Sequence, residues 1–444
     1  MICRKKGTPV VKVGIIALAT CLTMMIAIMA KPRITIRGIV FDTYPLVAAA
    51  GVIAILLSGG LSLSQFGTGL TADTAVNPIK ILALFFSMTF LSVYLDEAGF
   101  FHYLAGRTLA RAGSDQRKLL TSLFVTVSIL TVFTSNDIVV LTFTPFIGYF
   151  TKAAKINPIP YLVTEFIAAN TFSMMFIIGN PTNIYLASGA GIDFLAYVRV
   201  MLIPTLCAGI AVYVVIRLLF RKALAVPMHG ETGESRIRHK PTVVLGMIHL
   251  SVCTVLLAVA SYVNLPMWRI AVYSAVSLIV CTCVMNVITK RGPRLLFRSL
   301  HRLPWLLAPF VLSMFGLVLA MNQSGLSGRI AELLSHGNPI LTYGVASSLA
   351  ANIINNIPMS VLFTSLLSYG SAPTSAVYAT IIGSNLGAYL TPVGALAGIM
   401  WMSLLKTVGV DFSFGKFVSY GVRIAVPAIA AALAGLAVST ILLL

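Results

Sequence analysis

Of the twelve acidic residues in the 444-residue chain, only Asp137 and Glu165 fall well inside apolar stretches. A carboxylate at membrane depth is expensive and marks a proton or cation site by default. Asp137 closes the triplet Ser135-Asn136-Asp137 in FTSNDIVV. A second polar point, Asn355-Asn356 before Pro358, interrupts IINNIPMS. Two longer interruptions are built alike. One is Gly179-Asn180-Pro181-Thr182-Asn183, preceded by Asn170, and the other is Thr391-Pro392-Val393-Gly394, preceded by Asn385. Where helices stop at such points, N–H and C=O groups are freed. Helix N-termini attract anions, while carbonyls and side-chain oxygens coordinate cations.

The candidate substrate- and ion-binding set is therefore Ser135, Asn136, Asp137, Asn170, Gly179, Asn180, Asn183, Asn355, Asn356, Asn385, Thr391 and Gly394. Asp137 is the leading proton carrier. Glu165, five residues before Asn170, reads either as a second carrier or as a carboxylate paired to a Thr or Ser on a neighbouring segment. Asp96 and Glu97 close a span near Arg107 and Arg111, where a structural role is expected, and His249 reads as a hydrogen-bonded core residue. Gly, Pro and Asn also kink membrane helices with no further role. Four interruptions related by a repeat argue against that simpler account.

Composition says what must position these residues. Apolar side chains make up 58% of the chain and charged ones 10%, with a mean hydropathy of +0.96. A soluble domain would carry roughly 25% charged residues, so a soluble enzyme is excluded. The imbalance of 31 basic to 12 acidic residues gives +19. In so apolar a chain this reflects basic loops facing the cytoplasm rather than nucleic-acid binding. Six cysteines, five of them inside apolar runs, form neither a disulfide framework nor a metal set.

A span needs roughly 20 apolar residues. Clear candidates are Val10 to Ala30, Tyr44 to Leu61, Ile79 to Leu95, Leu195 to Phe220, Thr242 to Val263, Arg269 to Ile288, Leu306 to Met321 and Phe417 to Leu444. The first follows a short basic stretch but is too long for a signal-peptide core, so it reads as retained. The interrupted stretches 119–150 and 340–367 read as re-entrant hairpins, and 161–188 and 376–405 as broken spans. The fold class is thus all-α and polytopic, with about ten transmembrane helices plus two re-entrant hairpins, both termini on one face. Most of the 31 basic residues, including Arg37, Arg236, Arg238 and Arg291, then lie on one face, expected to be cytoplasmic. The basic N-terminus, Arg4 to Lys6, fits that layout poorly.

The polar loop 221–241 separates two halves, 1–220 and 242–444, that repeat. Ser87-Met88 corresponds to Ser313-Met314, Gly99 to Gly325, the tip Ser135-Asn136 to Asn355-Asn356, and Asn170 to Gly179 to Asn385 to Gly394. The order in each half is span, amphipathic arm, hairpin, broken helix, span. The layout makes the repeats inverted, the architecture of secondary transporters working by alternating access.

At these residues the chain resembles the arsenite/antimonite efflux permeases of the ion transporter superfamily, which also holds sodium/proton antiporters and divalent-anion/sodium symporters. NNIP at Asn355 to Pro358 and IGSNLGAYLTPVGALAGIMW at Ile382 to Trp401 are similar to that family's second hairpin and broken helix, and SNDIVVLTFTP at Ser135 to Pro145 to its first hairpin. IIGNPTN at Ile177 to Asn183 is a form widespread in the superfamily. The symporter branch carries Ser-Asn-Thr at both tips; here Asp137 stands in place of the Thr, which disfavours a dicarboxylate. The resemblance implies proton-coupled efflux of arsenite or antimonite across the inner membrane, with sodium/proton antiport as the alternative and sodium-coupled carboxylate symport as the weaker one. No cofactor is implied; a proton or sodium ion is the coupling ion. The partners implied are a small inorganic solute and the lipid bilayer, with a homodimer and a separate ATPase subunit compatible with the class. No GxxxxGK[ST] phosphate loop occurs, so ATP would act only through such a subunit. An intramembrane enzyme lacks a catalytic set: there is no HExxH, and the two acids stand apart.

Overall fold

The computed structural model describes all residues except 1–6, 32, 37–38, 75–76, 113–114, 229–236, 238, 261–264, 291, 370–371 and 444. Arg4 to Lys6, Arg37, Arg236, Arg238 and Arg291, and much of the central loop, therefore lie outside the described residues. Without water in the hydrocarbon, each peptide group must be satisfied within its own segment, and the apolar runs fold accordingly as helices. In the first half these are α1 (Gly7–Ala30), α2 (Thr43–Leu57), α3 (Leu63–Thr71), α4 (Pro78–Glu97), α5 (Phe100–Ala112), α6 (Gln116–Phe133), α7 (Asn136–Ala153), α8 (Ile159–Phe172), α9 (Pro181–Gly189) and α10 (Phe194–Leu219). A short antiparallel ribbon, β1 (Arg33–Ile36) and β2 (Ile39–Asp42), links α1 to α2, where the sequence pattern suggests only a connecting loop.

The second half supplies α11 (Lys240–Ala258), α12 (Met267–Ile288), α13 (Arg294–His301), α14 (Leu307–Ser324), α15 (Leu326–Ser335), α16 (Pro339–Ile354), α17 (Asn356–Tyr369), α18 (Thr374–Gly387), α19 (Leu396–Thr407) and α20 (Phe414–Leu443). The element order of the two halves matches from α4 and α14 onward. Each hairpin is a helix pair, α6–α7 and α16–α17. Each broken span is two helices around a single 3-10 turn, Ile177–Gly179 or Pro392–Gly394. The turns after α4 and α14 both use a glycine with left-handed backbone, Gly99 (φ +86°) and Gly325 (φ +80°).

Among the described residues, α1, α4, α6, α10, α11, α12, α14 and α20 are long and apolar enough to cross a membrane. The sequence pattern marks α6 as a hairpin limb only. At 18 residues each, α6 and α7 are about 27 Å long, close to the roughly 30 Å of hydrocarbon. Asp115 caps α6, its carboxylate accepting from the backbone N–H groups of Arg117 (2.8 Å) and Lys118 (3.3 Å), which holds that carboxyl below its usual range.

The helices sort into two compact units that cut across the halves. One comprises Met1–Leu82, Pro181–Ile192 and Pro304–Leu396; the other comprises Ala83–Asn180, Asp193–Leu303 and Ala397–Leu444. In the first, small residues let helices approach closely. Gly51 of α2 lies against Thr20 of α1, and Gly316 of α14 against Val52 of α2. Gly383 and Gly387 of α18 lie on Gly344, Ser347 and Ser348 of α16.

In the second unit α10 runs along α20, with Gly435 on Pro204 and Cys207, and α8 packs against α6, α7 and α10. Arg302 donates to Asp96 and Glu97, 2.7 Å each. The span-end acids are structural as expected, but their partner is Arg302 rather than Arg107 or Arg111. His249 is hydrogen-bonded but half-buried rather than in the core, contacting the Leu245 carbonyl (2.9 Å) and Ser277 (3.1 Å).

The α16–α18 crossing gives a direct test of this packing. A Cβ at Gly383 would run into the Ser347 hydroxyl and the Gly344 carbonyl oxygen, whereas one at Gly67 of α3 meets nothing within 4 Å. Gly383→Ala is expected to destabilise by about 2 kcal/mol or more. Gly67→Ala should be neutral or stabilising by about 0.5 kcal/mol. Thermal unfolding of both variants in detergent reads the contrast, and equal melting temperatures would refute it.

Candidate functional site

The first hairpin tip forms where Thr134 and Ser135 turn extended and Asn136 restarts the helix as the first residue of α7. Asn136 is buried and uses both ends of its amide. Its Nδ2 donates to Asn170 Oδ1 (3.0 Å) and its Oδ1 accepts from the Asp137 backbone N–H (3.0 Å). Asn170, fully buried near the end of α8, donates its own Nδ2 to the Phe166 carbonyl (2.8 Å). The tip is thus tied to the first broken helix. Gly179 is obligatory at that break, because a Cβ there would collide with the Ser173 carbonyl group. Asn180, also buried, follows it, and Pro181 opens α9, where its missing N–H leaves nothing unsatisfied.

Two polar groups at this tip are left for a ligand. The Ser135 hydroxyl is buried without a hydrogen-bond partner among the described residues. The Asp137 side chain is half-buried in the first turn of α7 and makes no hydrogen bond or ion pair with any described residue. The helix dipole favours a negative charge at that position.

Glu165 differs in kind. It is fully buried, with the Thr144 hydroxyl 3.3 and 3.2 Å from its two oxygens and Trp401 Nε1 donating at 3.2 Å. The pairing to a neighbouring Thr is one of the two readings the sequence allows. Trp401, on α19, is 1% exposed and sits among the rings of Phe166 (5.0 Å between centroids), Phe412 (5.2 Å) and Phe417 (5.8 Å).

The remaining predicted residues belong to the other unit. Asn355 forms the second tip with φ +71° and ψ 152°, a backbone state nearly confined to glycine. Its Nδ2 donates to the Val393 carbonyl (2.9 Å), tying that tip to the Thr391–Gly394 break. Asn356, buried, begins α17 as Asn136 begins α7. Asn385 donates to Asn183 Oδ1 (2.8 Å) and to the Ile381 carbonyl (2.8 Å), joining α18 to α9.

Asn352 is absent from the set that the sequence suggests, yet it organises this break. Its Nδ2 donates to the Ser348 and Gly387 carbonyls, 2.8 Å each; its Oδ1 accepts from the Thr391 hydroxyl (2.7 Å) and leaves no room for a Cβ on Gly394. The signal available in the sequence is an amide in a run of small residues three positions before the tip.

Each unit therefore holds a buried Asn–Asn pair beside helix ends, and the set contains no Lys or Arg. At the first tip, neutral oxygens with one unpaired carboxylate suit a proton, a small cation or an uncharged hydroxide. They lack the cationic residues that would neutralise a polycarboxylate.

A protein-family model described as "CitMHS: Citrate transporter" matches residues 4–374. The arsenical pump membrane protein of Escherichia coli is 28% identical over 80% of this chain and 85% of its own length. A putative arsenical pump membrane protein of Bacillus subtilis is 24% identical over 84% and 89%. Among solved structures, the Alcanivorax borkumensis YdaH transporter covers 97% of this chain and 98% of its own with a TM-score of 0.57 at 13% identity. Neisseria gonorrhoeae MtrF covers 97% and 94% with a TM-score of 0.54 at 13% identity. At that identity they speak to the fold, that of membrane transporters.

Asn352→Ala removes three part-buried hydrogen bonds and strands carbonyls at a helix end. It is expected to destabilise by about 2–3 kcal/mol, and Thr391→Val, which removes one donor, by about 1 kcal/mol. A melting temperature for Asn352→Ala no lower than that of Thr391→Val would show that the break does not depend on this amide.

Proposed function

The chain belongs to the CitMHS citrate-transporter family, and we propose that within it this protein expels arsenite and antimonite in exchange for protons. It is a multi-pass transporter of the inner membrane. The observation that carries the finer reading is the Asp137 carboxylate, unpaired at the start of α7 beside the orphan Ser135 hydroxyl. The names of the Escherichia coli and Bacillus subtilis relatives point to the same solutes.

Arsenite and antimonite are neutral hydroxides at neutral pH. Amide and hydroxyl oxygens match their O–H donors, and an uncharged solute needs no Arg or Lys. Being neutral, such a solute gains nothing from the membrane potential, so its uphill export requires a coupled ion. Asp137 can supply that coupling. Protonated from outside, it carries a proton inward; releasing it to the cytoplasm restores the carboxylate. Alternating access would expose the Ser135–Asp137 tip to one side at a time. Citrate, with three carboxylates, would meet Asp137 as a like charge.

Everted vesicles with an acid interior should accumulate arsenite, and the accumulation should collapse when the pH gradient is dissipated. Absence of uptake across a range of pH would refute the reading. Sodium-driven loss of the proton gradient without arsenite movement would favour sodium/proton antiport, and citrate uptake would favour the citrate transport named in the family's description. Asp137→Asn, close in shape, should lower pH-driven uptake at least tenfold with an unchanged melting temperature; undiminished uptake removes Asp137 from the mechanism.

A further inference from the structure

Glu165 is a buried titratable group that exchange through Asp137 does not use. Among the described residues it is the one Asp or Glu that is fully buried, and it touches Trp401 on the helix that continues from the second break. Its three contacts measure 3.2–3.3 Å. Charge-assisted bonds to a carboxylate run about 2.7–2.9 Å from nitrogen and about 2.5–2.7 Å from oxygen. All three contacts are longer than that, and none comes from a charged donor.

The elements around it bring no counter-charge. On α6 the charges, Arg117 and Lys118, sit in the first turn beside Asp115; on α7 they are Asp137 in the first turn and Lys152 in the last. Helix α10 carries Arg199 and Arg217, α19 carries Lys406, and α20 carries Lys416 and Arg423. None of these pairs with Glu165, whose partners are Thr144 and Trp401. The tyrosines on these helices are engaged elsewhere or exposed: Tyr161 with Gln116, Tyr197 with the Met174 carbonyl, Tyr213 with Thr121 and Tyr420 stacked on Phe412, with Tyr149 exposed. Cys207 of α10 lies against Gly435 of α20.

Ionised, Glu165 would be a buried charge with only weak neutral contacts, a state that demands water. The wall that keeps water out includes Trp401 and Phe166, with Phe412 and Phe417 packed on Trp401. Trp401 in turn belongs to α19, which begins two residues after the Pro392–Gly394 turn. Whatever moves Trp401 moves the helix leaving that break.

We propose that Glu165 is a positioning residue that acts as a proton-operated latch: protonated, its carboxyl holds Trp401 and α19 in the packed aromatic cluster, and loss of the proton admits water and releases them. The latch deepens the proton coupling proposed above by giving the proton a second site with a mechanical output. Its test needs no transported solute, so the two readings can fail separately.

Of the three tryptophans, Trp268 and Trp305 are dispensable as reporters, and Trp305 is 54% exposed. In full-length protein carrying Trp268→Phe and Trp305→Phe, reconstituted in nanodiscs, Trp401 emission should shift to the red and become quenchable by acrylamide as pH rises. Glu165→Gln keeps an acceptor for Trp401 and Thr144 and should abolish the transition, leaving blue-shifted emission at every pH. Asp137→Asn should leave the transition intact while losing pH-driven uptake. A pH-independent parent, or a transition that survives in Glu165→Gln, overturns the latch. Infrared spectra supply an arm that retains the carboxyl. The parent should show a protonated-carboxyl band at low pH that shifts in Thr144→Val, and a band that Thr144→Val leaves unmoved overturns the proposal even if Glu165→Gln fails to fold.

Discussion

Breaking a helix inside a membrane frees peptide groups that water cannot reach, and everything distinctive about this protein follows from how those groups are satisfied. Three asparagines meet the demand in one way. Asn170, Asn352 and Asn385 each lie near a helix end and donate Nδ2 to the carbonyl four residues back, on Phe166, Ser348 and Ile381 respectively. Each then contacts a second element: Asn170 accepts from Asn136, Asn352 reaches Gly387 and Thr391, and Asn385 donates to Asn183. One short side chain thus satisfies its own helix and ties it to a neighbour. Asn170 and Asn385 occupy corresponding places in the two halves and share the bond four residues back, while their second partners differ.

That constraint also explains what could be read from the chain. A break needs residues that supply or dispense with hydrogen-bonding groups, and these are conspicuous in an apolar sequence. Asn136, Asn355, Gly179, Pro181 and Gly394 all stand at points where a helix stops or starts. Gly179 and Gly394 are further determined by close backbone or amide contact at the turn. Partners remote in sequence were not legible, because spacing says nothing about which helix lies opposite. Asp96 and Glu97 are joined by Arg302 rather than by nearby Arg107 or Arg111, and Glu165 meets a tryptophan from the last tenth of the chain. Asn352 is inconspicuous for a related reason: its value lies in reaching Gly387 and Thr391, not in any local break.

The two membrane carboxylates show how environment divides roles between identical chemistry. Asp137 lies half-buried in the first turn of a helix with its oxygens unclaimed, a place where charge is tolerated and a ligand can compete for it. Glu165 has no exposure, and neutral donors already touch its oxygens. The first arrangement suits exchange with a passing ion. The second suits a group whose protonation alters packing, because ionisation without a counter-charge cannot be accommodated where it stands.

Under the proposed function, family membership and substrate chemistry separate. The CitMHS description names citrate, and a tricarboxylate requires positive charge or many donors where its carboxylates come to rest. The polar residues at the tips and breaks of this chain are Asn, Ser, Thr and one Asp, and none of them is Lys or Arg. The fold can be shared while the charge at its breaks is exchanged. Under the proposed function, Asp at the tip would turn the local preference from anion to proton or cation, and a neutral metalloid hydroxide would be indifferent to that change.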